Sequence, residues 1–552
     1  MALDAGVLAE LESIVGREHV RHREGEVAPY ARDATPLFSS PPDAVVFPAR
    51  TEEVAAVLRL ATAHRVPVVP RGAGSNLCAA TVPLQGGILL VLTRMDRVLE
   101  ISTEELLVRA EPGATTATVA DAAAAQGLLF APDPGSRTVS TVGGNVATCA
   151  GGLRGLKYGV TRNYVLGLEV VLPTGEVIRT GGRLWKDVAG YDLTRLLTGS
   201  EGTLGVITEV TLALLPMPVT ASTGVAYFSS LADAGRAVTQ ILGHGVVPAT
   251  LEFLDRTCIG AVEDYARLGL RTDAGALLLF GDDGEPDAVE RNLTRMGELC
   301  ADEGALEVTV AKEVAQSEAL LAARRCSLPA LSRLNTLTVL EDVTVPRPRL
   351  AEMVDRIAAV AARHDLLIGT FGHAGDGNLH PTAVVDVRDP AAADRTHAAF
   401  AEIFAAALEL DGTITGEHGV GAAKLPYLRD RLGDDQMALL RRIKTAFDPA
   451  GILNPGKTGS HARQPRQNED SSRSVGSSSS RTPVSSARIS VIRPRGEDFS
   501  SLLSAYVGQA GRQNPQEMHR SSSSGGKMPR EAAPASPGAS VASALTSPPS
   551  RG

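Results

Sequence analysis

The sequence predicts a protein of mixed helices and strands that is divided into about two or three domains. Its 552 residues exceed what a single hydrophobic core usually organises. Hydrophobic residues make up 43% of the chain and aromatic residues only 4%, so alanine, valine and leucine must fill a sizeable interior. Short apolar runs typical of strands alternate with helical periodicity, which indicates that both kinds of element build that interior.

The first elements follow from apolar spacing and from capping residues. Residues 7–15 have the spacing of an amphipathic helix, and residues 44–48 are typical of a short strand. Thr51 is expected to cap a helix that reaches about residue 64, with acidic residues at its positive end. Residues 66–70 then predict a strand that leads directly into a glycine-rich segment.

Residues 71–77 form that first glycine-rich segment, Arg-Gly-Ala-Gly-Ser-Asn-Leu. Closely spaced glycines after a strand expose consecutive backbone N–H groups, which can surround a pyrophosphate. The Rossmann fingerprint does not fit, because Leu77 replaces its third glycine and a strand at 87–92 follows instead of a helix. The segment alone leaves two interpretations open, phosphate binding and a simple tight turn.

A second stretch of small residues favours phosphate binding. It follows a predicted helix at 117–126 and includes residues 132–135, 141–148 and 150–155, with scarcely a bulky side chain. A packed core would not use such residues, whereas a surface on which an extended cofactor lies against the backbone would. Strand patterns then return at 165–172 and shortly before residue 215.

Two further glycine-dense segments contain His373, His380, Glu417 and His418. Two imidazoles and a carboxylate, from His373, His380 and Glu417, can fill three positions of a metal site and leave one open for water or substrate. That pattern is typical of a catalytic zinc site. His418 would then be free to move a proton. Any one of these residues alone is better explained by core hydrogen bonding, but their clustering favours a metal site.

Charge and cysteine content exclude several classes of function. The net charge of −9 and the pI near 5.8 speak against general nucleic-acid binding and favour small-molecule substrates. The five cysteines are scattered without a Cys-x-x-Cys pair, which predicts no disulfide framework and no thiolate metal site. The N-terminus lacks a signal-peptide pattern and no apolar run could span a bilayer, so we expect membrane contact only through a partner.

Several motifs occur in a fixed order along the chain. They are Pro-Arg-Gly-Ala-Gly-Ser at 70–75, Thr-Val-Gly-Gly-Asn at 141–145, Thr-Gly-Ser-Glu-Gly-Thr-Leu-Gly at 198–205, Gly-His-Ala-Gly-Asp-Gly-Asn-Leu-His at 372–380, Gly-Glu-His-Gly-Val-Gly at 416–421 and Leu-Asn-Pro-Gly-Lys at 453–457. Together they resemble the FAD-linked 2-hydroxy-acid dehydrogenases of the vanillyl-alcohol-oxidase fold. The resemblance covers roughly residues 40–457 and is strongest to glycolate oxidase flavoprotein subunits and D-lactate dehydrogenases.

The resemblance implies an α+β fold with a two-subdomain FAD-binding domain of the PCMH type and a cap domain with an antiparallel sheet. The implied boundaries are an N-terminal helical segment at 1–42, the FAD-binding domain at 43–218, the cap at 219–425 and a helical segment at 426–458 that returns to the FAD-binding domain. Residues 459–552 are rich in Ser, Pro, Gly and Arg, with too few large apolar residues for a core. We expect them to form a disordered tail.

The resemblance also implies which residues hold FAD. They are Pro70, Arg71, Gly72, Ala73, Gly74, Ser75, Asn76, Pro132, Asp133, Thr141, Gly143, Gly144, Asn145, Thr148, Gly152, Glu201, Gly202, Ile207 and Asn454. Family members that attach FAD covalently usually do so through a histidine in the first glycine loop. Ser75 and Asn76 stand there instead, so we expect non-covalent FAD.

In the cap, the resemblance assigns Arg324 to the substrate carboxylate. A guanidinium suits this role because its planar fork donates two parallel hydrogen bonds. A solvated helix face explains the adjacent arginines Arg324 and Arg325 equally well. Asp376 and Asn378 would brace the metal loop from behind.

The implied reaction joins these groups. A divalent cation on His373, His380 and Glu417 would lower the pKa of the substrate's 2-hydroxyl, and zinc, manganese and iron all suit these ligands. His418 would take the hydroxyl proton as catalytic base. Hydride would then pass from Cα to flavin N5.

The expected substrate is a small monocarboxylate, glycolate or D-lactate. Leu340 and Thr382 stand where dicarboxylate-specific relatives are expected to carry extra polar groups. Expected partners are iron–sulfur and second flavin subunits that accept electrons, in the cytoplasm or at the inner membrane face through such a partner. The alternatives are a redox-neutral flavin-dependent transferase, an inactive flavin-binding subunit of the same fold, and a metal-dependent hydrolase without flavin.

Overall fold

The computed structural model describes residues 3–457, so the predicted disorder of residues 459–552 lies outside the described residues. The first sheet is formed by strands near the N-terminus. The sheet has four strands in the order β1-β2-β4-β3, in which β2, β4 and β3 are parallel and β1 is antiparallel. Its elements are α1 (Ala5–Val15), β1 (Val20–Arg21), α2 (Glu24–Val27), β2 (Ala44–Val46), α3 (Thr51–His64), β3 (Val68–Arg71) and β4 (Ile88–Val91). Four apolar side chains of α3 are buried in the core of this sheet: Val54, Val57, Leu58 and Ala61.

The capping prediction for α3 was wrong. Arg50 occupies the N-cap in an extended conformation without a capping hydrogen bond, and Thr51 is the first helical residue. The Thr51 hydroxyl donates instead to Oε1 of Glu169 at 2.7 Å. Because Glu169 is buried and needs donors, this tertiary contact prevails over the local cap.

A second, antiparallel sheet follows in the order β5-β6-β10-β8-β9, and β7 and β11 form a separate pair. The elements are β5 (Val98–Ser102), β6 (Leu107–Ala110), α4 (Thr116–Ala124), β7 (Leu128–Leu129), α5 (Val142–Thr148), α6 (Gly155–Tyr158), β8 (Val165–Val171), β9 (Val177–Gly181), α7 (Leu193–Leu197), β10 (Val206–Ala213) and β11 (Leu215–Pro216). Thr141 caps α5 by accepting a hydrogen bond from the Gly144 N–H at 3.3 Å.

The cap is built on an eight-stranded sheet in the order β15-β12-β14-β13-β18-β19-β16, with β17 beside β19. All its strand pairs are antiparallel, which confirms the predicted antiparallel cap sheet. Its strands are β12 (Thr220–Phe228), β13 (Thr250–Asp255), β14 (Ala276–Gly284), β15 (Glu307–Val310), β16 (Leu337–Leu340), β17 (Val343–Thr344), β18 (Leu367–His373) and β19 (Asn378–Val385).

Helices cover both faces of the cap sheet, because apolar side chains alternate along its central strands. One face packs against α8 (Leu231–Gly243), α10 (Pro286–Asp302), α13 (Leu350–Arg363) and α14 (Ala392–Glu409). The other packs against α9 (Arg256–Ala266), α11 (Val314–Arg325) and α12 (Ser327–Leu331). Short 3-10 helices occur at Arg17–His19, Ala28–Tyr30, Thr161–Asn163 and Arg347–Arg349.

The end of the described chain packs back on the N-terminal half. α15 (Leu425–Phe447) is interrupted at Gly433, whose φ is +75°, and the backbone N–H of Asn454 donates to the carbonyl of Val68 at 2.8 Å. Lys157 joins the two halves elsewhere, since its Nζ lies 2.7 Å from Asp282 and 2.6 Å from Asp283 of the cap. None of the helices within residues 3–457 combines the length and apolar character that crossing a bilayer requires.

Candidate active site

The hairpin of β18 and β19 brings together two of the predicted metal ligands. His373 ends β18 and His380 lies in β19, opposite Phe371. Glu417 comes from the following glycine-rich loop, and its Oε1 lies 3.2 Å from Nε2 of His373 and 3.4 Å from Nε2 of His380. One ligand atom from each residue therefore falls within 4.8 Å of the others.

This donor set fits a divalent cation. Two imidazole nitrogens and a carboxylate oxygen are ligands for zinc, manganese or iron. Nδ1 of His373 lies 2.7 Å from Oε1 of Glu252, the contact that commonly orients a metal-bound histidine. Burial would lower the pKa of His373, but Glu252 and Glu417 on either side outweigh it and hold that pKa well above its usual value. A cation at Nε2 would relieve the same excess of negative charge.

His418 lies beside His373, His380 and Glu417, the three candidate ligands called the metal trio below. Its ring stacks on that of His380, with centroids 5.0 Å apart and planes 13° apart. Its Nε2 lies 3.7 Å from Oε1 of Glu417 and its Nδ1 lies 3.6 Å from Oδ1 of Asp342. Burial lowers the pKa of the His418 imidazole below its usual value in spite of these two carboxylates. A neutral imidazole at this place is able to accept a proton.

Asp342 organises the loop that carries Glu417 and His418. Its Oδ2 accepts hydrogen bonds from the backbone N–H groups of Gly416 at 2.6 Å and Glu417 at 2.8 Å. Its Oδ1 pairs with Nζ of Lys424, and both side chains are completely buried. Burial would raise the pKa of Asp342, but Lys424 and the neighbouring histidines outweigh it and hold that pKa far below its usual value.

Asp342→Asn should lower the free energy of unfolding by up to about 3–5 kcal/mol, because it removes the nearer of two carboxylates that pair with the buried Lys424 ammonium and leaves only Glu341, at 3.2 Å. Urea denaturation monitored by circular dichroism measures the change. Asp434→Asn is the matched control, since the Asp434–Arg429 pair is mostly exposed and should contribute less than about 1 kcal/mol. Equal effects of the two substitutions would contradict the importance of the buried pair.

Arg324 and Arg325 take different environments. Arg324 is only 6% exposed; its Nε lies 2.7 Å from Oε2 of Glu252 and its guanidinium lies 4.7 Å from the Phe371 ring centre. Arg325 is partly exposed and pairs with Asp133 at 2.7 Å. Arg324 is therefore not part of a solvated helix face.

Asp376 and Asn378, which are expected to brace the metal loop, lie between His373 and His380 in the hairpin of β18 and β19. The side-chain amide of Asn378 donates to the carbonyl of Val343 at 3.1 Å and to Oγ1 of Thr344 at 3.0 Å. Oδ1 of Asp376 accepts from the backbone N–H of Asn378 at 3.3 Å. Burial raises the pKa of Asp376 to about 6.

The glycine-rich segments predicted to hold FAD lie against one another. Among residues 3–457, no backbone N–H of residues 72–76 donates to another backbone group, so these donors are available to a pyrophosphate. A Cβ on Gly72 would lie 2.2 Å from Oγ1 of Thr141, and one on Gly152 would lie 2.2 Å from the carbonyl oxygen of Asp133. These two glycines therefore allow the segments to pack closely, because a side chain at either position would collide with the neighbouring segment.

The second glycine-rich stretch lies close to the metal trio. A Cβ on Gly151, next to the predicted Gly152, would lie 2.4 Å from Oε2 of Glu417. The backbone of the second glycine-rich stretch therefore approaches the carboxylate of Glu417 too closely for a side chain to stand between them. Gly151 was not singled out from the sequence.

About half of the other predicted FAD residues are buried, and two of them bond to segments that are distant along the chain. The carboxylate of Glu201 accepts from the backbone N–H groups of Val420 at 2.7 Å and Gly421 at 2.8 Å. The Asn454 side chain donates to the carbonyls of Ala80 and Glu201, at 3.0 Å and 2.7 Å. Others that are buried are Asp133, Asn145 and Ile207. Partly exposed ones are Pro70, Arg71, Ala73, Gly74, Ser75, Asn76, Gly144 and Thr148, whereas Pro132, Gly143, Gly152 and Gly202 are buried.

Sequence reasoning missed Glu252, Asp342 and Lys424. Each is a charged residue that the structure buries almost completely. The only signal was a single charge within an apolar strand pattern or next to a site motif, and that signal does not reveal its partner.

The fold and site belong to a known class of flavoenzyme. Residues 42–181 match an FAD binding domain, and residues 217–458 match the C-terminal domain of FAD linked oxidases. The chain belongs to the FAD-linked oxidase family and is an FAD-dependent oxidoreductase, as its motifs predicted.

Curated relatives and solved structures agree with this assignment. The glycolate oxidase subunit GlcD of Bacillus subtilis is 48% identical over 82% of this chain and 96% of its own length. The D-lactate dehydrogenase of Anaerostipes hadrus is 38% identical over 75% of this chain and 89% of its own. The 4-ethylphenol oxidase of Gulosibacter chungangensis, 23% identical, superposes with a TM-score of 0.71 over 83% of this chain and 97% of its own, which shows a shared fold.

Proposed function

We propose that this oxidoreductase oxidises a small 2-hydroxy acid, glycolate or D-lactate, to the 2-oxo acid. The observation that carries the proposal is that Glu417, which with His373 and His380 could hold a cation, lies so close to Gly151 that a Cβ there would be 2.4 Å from its Oε2. The relatives named glycolate oxidase subunit and D-lactate dehydrogenase support the substrate class.

Arg324 is the residue we assign to the substrate carboxylate. Its ion pair with Glu252 uses Nε, so the two terminal nitrogens remain outside that pair. A guanidinium fork meets a carboxylate with two parallel charge-assisted hydrogen bonds, which also fixes the orientation of the acid.

A small monocarboxylate fits the residues near this arginine. Leu340 is apolar and buried, and the buried hydroxyl of Thr382 donates to the carbonyl of His380 at 3.2 Å. Neither side chain offers a free donor for a second carboxylate. This supports glycolate or D-lactate over a dicarboxylate.

His418 accepts the proton of the 2-hydroxyl in this proposal. Its neutral imidazole and its place beside Glu417 support that role. A divalent cation held by His373, His380 and Glu417 would supply Lewis acidity that lowers the pKa of the hydroxyl.

FAD is proposed to lie non-covalently along residues 70–76 and 141–145, and when bound it supplies the hydride acceptor, N5. Two observations support this: within residues 3–457 the backbone N–H groups of residues 72–76 donate to no other backbone group, and residues 70–76 contain no histidine. Iron–sulfur and second flavin subunits are the proposed electron acceptors, with the protein in the cytoplasm or at the inner membrane face through them. The word "subunit" in the name of the Bacillus subtilis relative supports such an assembly.

Anaerobic reduction of the bound flavin tests the proposal. Glycolate or D-lactate should bleach the visible flavin absorbance in a single turnover, because electrons leave the substrate for FAD. Propionate is the matched control, since it has the carboxylate but no hydroxyl to oxidise. A flavin that stays oxidised with every 2-hydroxy acid would contradict the proposal and favour a redox-neutral transferase or an inactive flavin-binding subunit.

A further inference from the structure

Glu252 is a buried carboxylate that has no place in the reaction proposed above. It lies in β13, directly opposite His373 in the antiparallel pairing of β13 with β18. Residues paired in this way project from the same face of the sheet. The side chain is only 1% exposed, and a buried carboxylate persists only where charged or polar partners compensate its lost hydration.

The two oxygens of Glu252 contact two different functional groups. Oε1 lies 2.7 Å from Nδ1 of His373, and Oε2 lies 2.7 Å from Nε of Arg324. The first contact is a hydrogen bond. The second is a close ion pair in which neither atom completes an aligned hydrogen bond within the described residues. One carboxylate therefore supports both a metal ligand and the arginine assigned to the substrate.

We propose that Glu252 is a positioning residue that couples cation binding at His373, His380 and Glu417 to carboxylate binding at Arg324. The inference rests on the proposed function for the identity of the acid that Arg324 holds. It adds that occupation of either site strengthens binding at the other.

The coupling follows from the shared negative charge. When Arg324 binds a substrate carboxylate, its positive charge is shared between that carboxylate and Glu252, so it attracts Glu252 less strongly. Glu252 then accepts the His373 Nδ1–H more strongly, and a stronger acceptor at Nδ1 makes Nε2 a better ligand. Because binding free energies are reciprocal, the cation must increase the affinity for the carboxylate by the same factor.

Equilibrium binding of Mn²⁺ with and without propionate tests the coupling. The full-length, FAD-loaded protein is first stripped of divalent cations. Propionate can occupy Arg324 but lacks the 2-oxygen of the substrate, and the Glu252→Gln variant separates coupling through the protein from direct attraction between the propionate carboxylate and Mn²⁺. In the wild type, saturating propionate should lower the Mn²⁺ dissociation constant by about 5- to 150-fold, the usual range of coupling between sites.

Glu252→Gln should weaken Mn²⁺ binding by about 10- to 100-fold, as expected for loss of a residue that orients a metal-bound histidine. It should also abolish the effect of propionate. Mn²⁺ affinity equal to that of the wild type, or a propionate effect of undiminished size, would overturn the proposal. Flavin absorbance and the unfolding transition establish that the variant is folded.

Arg324→Met supplies an independent test through the other contact. In the wild-type background it should tighten Mn²⁺ binding, because Glu252 then acts on His373 alone. In the Glu252→Gln background it should leave Mn²⁺ binding unchanged. Weaker Mn²⁺ binding by Arg324→Met in the wild-type background would show that the contacts are merely structural. Equal tightening in the wild-type and Glu252→Gln backgrounds would show that the charge of Arg324 acts through space. Either result overturns the proposal.

These measurements need no turnover. If the coupling is present but no 2-hydroxy acid reduces the flavin, the proposed function fails and the coupling stands. If hydroxy acids reduce the flavin but the coupling is absent, the proposed function stands and the coupling fails.

Discussion

His418→Ala should slow reduction of the bound flavin by glycolate or D-lactate about 100- to 10,000-fold, the contribution of a well-placed general base. The imidazole stacks on His380 and lies 3.7 Å from Glu417. Its loss therefore removes the neutral proton acceptor that lies beside the metal trio. Burial keeps the pKa of this imidazole below its usual value, which favours the form that accepts a proton. Anaerobic stopped-flow absorbance of the flavin measures the rate.

The control for this variant is His244→Ala. His244 is an exposed histidine at the end of α8, and within residues 3–457 its ring bonds to the carbonyl of Gln240 at 2.9 Å. The flavin of His244→Ala should be reduced at the wild-type rate. Both variants should purify with their flavin, since neither side chain lies in residues 70–76 or 141–145, along which FAD is proposed to lie. If the flavin of His418→Ala were reduced as fast as that of the wild type, His418 would not be the base.

His380→Ala should remove the bound divalent cation and slow flavin reduction about 1,000-fold. Lewis-acid stabilisation of an oxyanion contributes several kcal/mol, and about 1.4 kcal/mol corresponds to a factor of ten in rate. Elemental analysis of the purified protein measures the cation, and the same stopped-flow assay measures the rate. The flavin should remain, because His380 belongs to the cap sheet and not to the FAD-binding segments.

Chelation of the wild type provides the matching experiment without mutation. Stripped protein should lose reduction by the hydroxy acid, and added Zn²⁺ or Mn²⁺ should restore it in the wild type but not in His380→Ala. Full activity of protein shown to contain no divalent cation would contradict the metal assignment.

The sequence by itself determined the parts of the site that are written as contiguous motifs. The glycine-rich loops and the His373, His380, Glu417 and His418 set are local patterns in which residue type and spacing carry the chemistry. The antiparallel cap sheet and the FAD-binding fold were implied by the family resemblance that those motifs carry. The capping of α3 did not, since the distant Glu169 binds the Thr51 hydroxyl.

Only the tertiary structure decided which charged residues support those motifs. Glu252 and His373 are 121 positions apart, and nothing in either segment indicates that β13 pairs with β18. Arg324 and Arg325 are neighbours, but successive helical residues point about 100° apart, so packing of α11 sends one to Glu252 and the other to Asp133. A motif fixes the chemistry of its own residues, whereas burial and pairing of isolated charges depend on contacts that form only when distant strands and helices pack.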